Sequence, residues 1–169
     1  FVEHRFTATD PSFGGVVVSG VPDYFCAATK TLSDWKTTSA WTAIGGGREE
    51  WRRQLNAYAW LMEQNGIRVD ALLSVMILRD WSRGRARKAK AGAYPQAAVA
   101  VSPVTPMPLQ EVAWYLRARI AEHRSASPTL CSTEERWARG SIWAVVKSAG
   151  KCSPVTGLRR AVKGGKHDD

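Results

Sequence analysis

The chain has 169 residues, 44% of them hydrophobic, enough to bury a sizeable core, and carries 24 Lys and Arg against 15 Asp and Glu, a net charge of +9. That balance favours a polyanionic partner. No apolar run approaches the ~18 residues of a membrane-spanning helix, and Cys26, Cys131 and Cys152 form no C-x-x-C pair, which excludes a zinc finger.

In chain order, residues 1–8, 15–20, 21–27 and 31–36 read as strands, separated by Gly14-Gly15 and a turn over residues 28–30. They are expected to form an antiparallel meander that sets Asp23 and Asp34 on neighbouring strands. On an extended strand Asp34 and Lys36 share one face and Trp35 takes the other. Glycines 45–47 lack the Lys-Ser or Lys-Thr of a phosphate-binding loop, so a helicase motor is excluded. They precede a helix predicted over residues 48–65, with Trp51, Leu55, Ala59 and Met62 at helical spacing and Gly66 as its stop. Gln54 and Tyr58 stand at i and i+4, side by side on that helix. They can reach toward a nucleic acid together; the plainer reading makes one a surface residue and the other a core aromatic.

Residues 72–78 form a continuous apolar run, which suits a strand buried on both faces and covered by helices. The expected class is α/β or α+β with a mixed central sheet flanked by helices. Residues 79–90 follow as a flexible basic loop with Arg83, Arg85, Arg87, Lys88 and Lys90, suited to tracking a phosphate backbone or to simple solvation. Trp81 and Tyr94 bracket it, either as stacking platforms or as anchors to the core. A strand over residues 97–101 and a helix over residues 109–123 come next, the helix striped by Val112, Tyr115, Leu116 and Ile120. Beyond a linker at residues 125–128, a short helix over 132–139 and a strand over 141–147 are expected, and residues 151–169 read as a disordered basic tail. The organisation predicted is a core at 1–124, an extension at 125–150 and the tail.

Asp23, Asp34 and Lys36 carry the chemistry of this pattern. Two carboxylates and a main-chain carbonyl, that of Trp35, are hard oxygen ligands for a magnesium or manganese ion, and an ammonium on the same face can serve the attacking water or the phosphate. Gly20-Val21-Pro22-Asp23, then Asp34-Trp35-Lys36-Thr37, then Gln54 with Tyr58, resemble the RecB-like branch of the PD-(D/E)XK nuclease superfamily. The likeness extends through Leu78-Arg79-Asp80-Trp81, Tyr94-Pro95, Tyr115 with Arg119, and Cys131 followed by Glu134-Glu135-Arg136-Trp137, a pattern similar to phage-encoded exonucleases of that branch.

The resemblance implies a restriction-endonuclease-like core and magnesium- or manganese-dependent DNA cleavage, commonly exonucleolytic, in recombination or repair. Asp23 and Asp34 would hold the metal, Lys36 would be the catalytic lysine, and Gln54 with Tyr58 would position DNA. Family members draw a further ligand from a helix upstream of the first strand. The chain starts at Phe1 and is expected to lack that helix, which leaves Glu3 and His4, and Asp10 in a turn-like stretch, as the upstream candidates, Glu3 otherwise reading as an exposed strand residue. The three cysteines fall short of an iron–sulfur cluster and are expected as reduced, mostly buried thiols in a cytoplasmic setting. DNA is the expected partner, together with a recombinase or single-strand annealing protein, and no membrane. The alternative is a nucleic-acid-binding module of the same fold with impaired catalysis.

Overall fold

A strand over Thr31–Thr38 runs parallel to a strand over Ala71–Leu78, in register from Thr31↔Ala71 to Thr38↔Leu78. No hairpin can join parallel neighbours, so the 16-residue helix Glu49–Gln64 between them is the crossover. The computed structural model describes residues 2–127, 130–133, 136, 142–146 and 161–166, and the chain divides into two compact units, Phe1–Ala126 and Ser127–Asp169.

The first unit holds β1 (Phe6–Thr9), a 3-10 turn (Pro11–Phe13), β2 (Val17–Gly20), β3 (Tyr24–Cys26), β4 (Thr31–Thr38), α1 (Ala40–Ile44), α2 (Glu49–Gln64), β5 (Ala71–Leu78), α3 (Arg83–Lys88), β6 (Val99–Val104) and α4 (Leu109–Arg124). It is mixed α/β, with a four-stranded sheet ordered β3-β4-β5-β6, antiparallel except at β4–β5. The expected four-strand meander is broken in two. β1 and β2 pair as a separate hairpin, Phe6↔Gly20 to Thr9↔Val17. Between β2 and β3 stands Pro22, fully buried and without an N–H to offer a ladder. Pro103 sits in β6 at the sheet edge, where a missing donor is tolerated.

The sheet face that carries Leu32, Asp34, Leu72, Ser74, Met76 and Leu78 is buried. Leu55, Ala59, Trp60, Leu61 and Met62 of α2 pack with Leu32, Leu72, Phe6, Phe13, Phe25 and Val112 into the main core, each large side chain contributing about 1.5–3 kcal/mol. A smaller cluster of Ala40, Met76, Leu78, Ala86 and Tyr94 joins α1 and α3 to the carboxyl ends of β4 and β5 on the same face. β5 is therefore buried on one face, not two: Leu73 and Val75 are half-buried and Ile77 is 40% exposed. Its uninterrupted apolar run hides the alternation that burial reveals.

α2 begins with Glu49 and Glu50 in its first turn, the favourable end of the helix dipole for carboxylates. It stops in a Schellman motif: Ile67 N–H donates to Met62 O at 2.9 Å and Gly66 N–H to Glu63 O at 3.0 Å, with Gly66 at φ +76°. Residues 83–88, expected within a flexible loop, are instead the helix α3. Ser82 caps it by accepting the Arg85 N–H, and Arg, Ala and Lys are good helix formers. The short α1, capped by Ser39, was not legible in the pattern of apolar residues.

In the second unit β7 (Ile142–Val146) pairs antiparallel with β8 (Ala161–Lys166). The first lies within the strand predicted over residues 141–147. The second differs from the disordered tail predicted over residues 151–169; backbone pairing requires no apolar periodicity, which a segment with two glycines does not supply. The helix expected over residues 132–139 falls largely outside the described residues. No helix among the described residues is long and apolar enough to cross a membrane.

Candidate active site

β3 and β4 separate where the site begins. Their last ladder pair is Tyr24↔Ser33, and one residue further the Asp23 carboxylate takes over from the backbone: its Oδ2 accepts the Trp35 N–H at 2.7 Å. An extended residue sends its N–H and C=O to the same side of the strand, so the Trp35 carbonyl faces that same gap. The Trp35 ring, 54% exposed, lies on the opposite face of the sheet.

On the buried face Asp34 is 1% exposed. Lys36 Nζ lies 2.6 Å from Asp34 Oδ2, a contact of charge rather than direction, because Oδ2 makes no well-aligned hydrogen bond. The ammonium donates instead to Gln54 Oε1 at 2.9 Å, and Gln54 Nε2 donates to Tyr58 OH at 2.8 Å. Asp34, Lys36, Gln54 and Tyr58 thus form one polar chain running from β4 onto α2. Burial pushes the Asp34 carboxyl above the ordinary carboxylate range; Lys36 opposes the rise and the Asp23 charge adds to it.

Two backbone devices hold this chain. Gly20 at the end of β2 lets the Tyr58 ring press on the hairpin, where a Cβ would stand 2.7 Å from Tyr58 Cε1. Asn56, 2% exposed, accepts the Met107 N–H at 2.6 Å and donates to Arg52 O at 2.8 Å, locking the β6–α4 connection onto α2. Gly20 opens the first sequence motif, but its contact with Tyr58 is non-local and was not legible there; Asn56 did not stand out, since a lone Asn on an amphipathic segment carries no periodic signal.

Ser74 of β5 is the register partner of Asp34. Its Oγ is buried without a hydrogen bond among the described residues, beside Asp34 Oδ2, which is buried too and is met by the Lys36 ammonium. Beside Ser74 opens a cavity of about 260 Å³ reaching Gly47, Arg48 and Trp51. The Asp34 carboxylate, the Asp23 carboxylate across the gap and the Trp35 carbonyl turned into it are oxygen donors of the kind a hard divalent cation takes.

The other predicted residues lie as follows. Glu3 is exposed, and its N–H donates to Asp23 O at 3.1 Å, which sets its backbone beside the first carboxylate. No group of three His, Cys, Asp or Glu gathers among the described residues. Arg83, Arg85, Arg87, Lys88 and Lys90 are exposed on and after α3. Trp81 Nε1 donates to Pro95 O at 2.8 Å and Tyr94 OH accepts the Ser82 N–H at 3.1 Å, so both aromatics anchor this segment. Cys26 is half-buried and Cys131 exposed, both as free thiols, so the expectation of mostly buried cysteines does not hold for Cys131; Cys152 lies outside the described residues. No model of a known protein family matches the chain, and no curated protein is significantly similar to it.

Proposed function

We propose that the chain is a divalent-metal-dependent deoxyribonuclease with a restriction-endonuclease-like core of the PD-(D/E)XK type, acting on DNA ends. The observation that carries this reading is the contiguous arrangement of Asp23, Asp34, Lys36, Gln54 and Tyr58 around the point where β3 leaves β4. Three separated sequence motifs meet there.

Asp34, Asp23 and the Trp35 carbonyl would hold magnesium or manganese, which when bound supplies a Lewis acid and an acidified water. The remaining work belongs to the side chains. Lys36 brings positive charge to the phosphate and is held in place by Gln54, whose own orientation is fixed by Tyr58. Burial of Asp34 beneath α2 keeps bulk water from its carboxylate and strengthens each charge contact.

End-labelled linear DNA in magnesium, with Asp34→Asn and Lys36→Ala beside the unaltered chain, tests the reading. The chain should release nucleotides, and either variant should lower the rate by at least ~100-fold. Equal rates in all three would remove the function from these residues. The second reading, a binding module with impaired cleavage, is favoured by the small number of carboxylates that meet at the site; DNA binding without magnesium-dependent cleavage would establish it.

A further inference from the structure

α1 leaves the carboxyl end of β4 and α3 follows the carboxyl end of β5, and between them lies a groove of about 530 Å³ lined by Trp41, Ser82, Arg85, Lys88 and Tyr94. That volume falls in the ~300–1,000 Å³ range of binding clefts. Trp41 is 64% exposed. It is the exposed aromatic of this wall, because Tyr94 is 6% exposed and engaged with the Ser82 backbone.

The charges around the groove are of one sign. Arg83, Arg85, Arg87, Lys88 and Lys90 are exposed, and none makes an ion pair among the described residues. The nearby acid, Asp80, is turned into the fold: its Oδ1 accepts the Ala40 N–H at 2.6 Å. An indole face beside unpaired guanidinium and ammonium groups matches a base with its phosphates. Every base has a π-face to stack, while a duplex keeps its bases stacked on one another. The groove also shares a sheet face with Lys36, since Met76 and Leu78 beneath α1 and α3 continue the face of Asp34 and Ser74.

We infer that the Trp41–Arg85–Lys88 groove binds the unpaired end of a DNA strand, with a base stacked on Trp41 and phosphates on Arg85 and Lys88. This deepens the nuclease reading by naming its substrate as a strand with a single-stranded end, and in that respect rests on it.

The test is fluorescence anisotropy of a labelled single strand, its duplex, and an RNA of the same sequence, with the full chain in chelator so that no cleavage intervenes. The single DNA strand should bind most tightly. Trp41→Ala should weaken it ~5- to ~100-fold, Trp41→Phe should retain most of the affinity, and Trp114→Ala, a similarly exposed aromatic outside the groove, should leave it unchanged. Arg85→Ala with Lys88→Ala should lower the salt slope of single-strand binding by about 1.4. Circular dichroism of each variant shows that the fold is retained. Equal binding by Trp41→Ala and the unaltered chain, or tighter binding of duplex or RNA, overturns the inference whatever the cleavage assay gives. Groove-dependent binding without magnesium-dependent cleavage upholds the groove and removes only the nuclease reading.

Discussion

Gly20 has a side-chain-free surface because Tyr58 and Leu61 occupy the space. A Cβ there would stand 2.7 Å from Tyr58 Cε1 and 2.9 Å from Leu61 Cδ1, closer than carbon atoms approach without displacement. Leu61 belongs to the core and cannot yield easily, so Tyr58 must move, and with it the hydroxyl that accepts from Gln54. Gln54 in turn holds Lys36. Gly20→Ala is therefore expected to cost about 1–3 kcal/mol of stability, as overpacking does. It should also slow any Lys36-dependent cleavage while the fold persists. Urea unfolding gives the first value and a rate under saturating substrate the second. An unchanged rate with lowered stability would separate Tyr58 from the function of Lys36.

At the scale of elements, α2 carries both the core and the site, and its N-terminus is held by charge. Glu49 accepts from Arg52 Nε at 2.9 Å and from Arg53 Nε at 3.1 Å, and these guanidinium groups hold its carboxyl below the ordinary range. A carboxylate whose folded pKa is depressed contributes stability above its unfolded value of ~4.3 and loses it as pH falls through the folded one. With half of its side chain in solvent, Glu49→Gln should cost only about 0.5–1 kcal/mol at neutral pH. The difference between the two proteins, read from urea midpoints, should shrink as the pH falls below ~4.3 and vanish once it is below the folded value. A difference that persists there would assign the effect to packing instead of charge. Helices like α2 are legible because their signals are local: Leu55, Ala59 and Met62 recur at helical spacing, and Gly66 supplies the stop. The Asp34 and Lys36 alternation was legible for the same reason. What escaped is non-local. The departure of β3 from β4 at Asp23, the Ser74 oxygen opposite Asp34 and the single-faced burial of β5 all depend on strand register. Trp41 escaped because the five-residue helix α1 that carries it is too short to show a periodic pattern, and its exposure depends on how that helix packs.

The whole molecule adds electrostatics to these local arrangements. Its net charge of +9 is unevenly used: Arg48, Arg52, Arg53, Arg68 and Arg119 are tied to carboxylates, whereas the five cations between Arg83 and Lys90 make no ion pair among the described residues. Free cations release counterions from a polyanion, and paired ones contribute little because they must first give up a partner. Arg5, Arg79, Arg117 and Arg124 also make no ion pair among the described residues, but the five cations of residues 83–90 lie together beside the groove, so the salt dependence of binding to a single strand is expected to follow this segment. With about 0.7 counterions released per phosphate contact and five contacts, the slope of log K against log salt is expected near −3.5. That corresponds to a ~100-fold loss of affinity between ~50 and ~200 mM salt. Replacing Arg48 or Arg68 should leave the slope within a few tenths, because those charges are neutralised within the fold. A slope near zero would assign the excess of Lys and Arg to solubility, and a slope as sensitive to Arg68 as to Arg87 would spread the contact over the whole surface instead of the edge where the carboxyl ends of β4 and β5 meet α1 and α3.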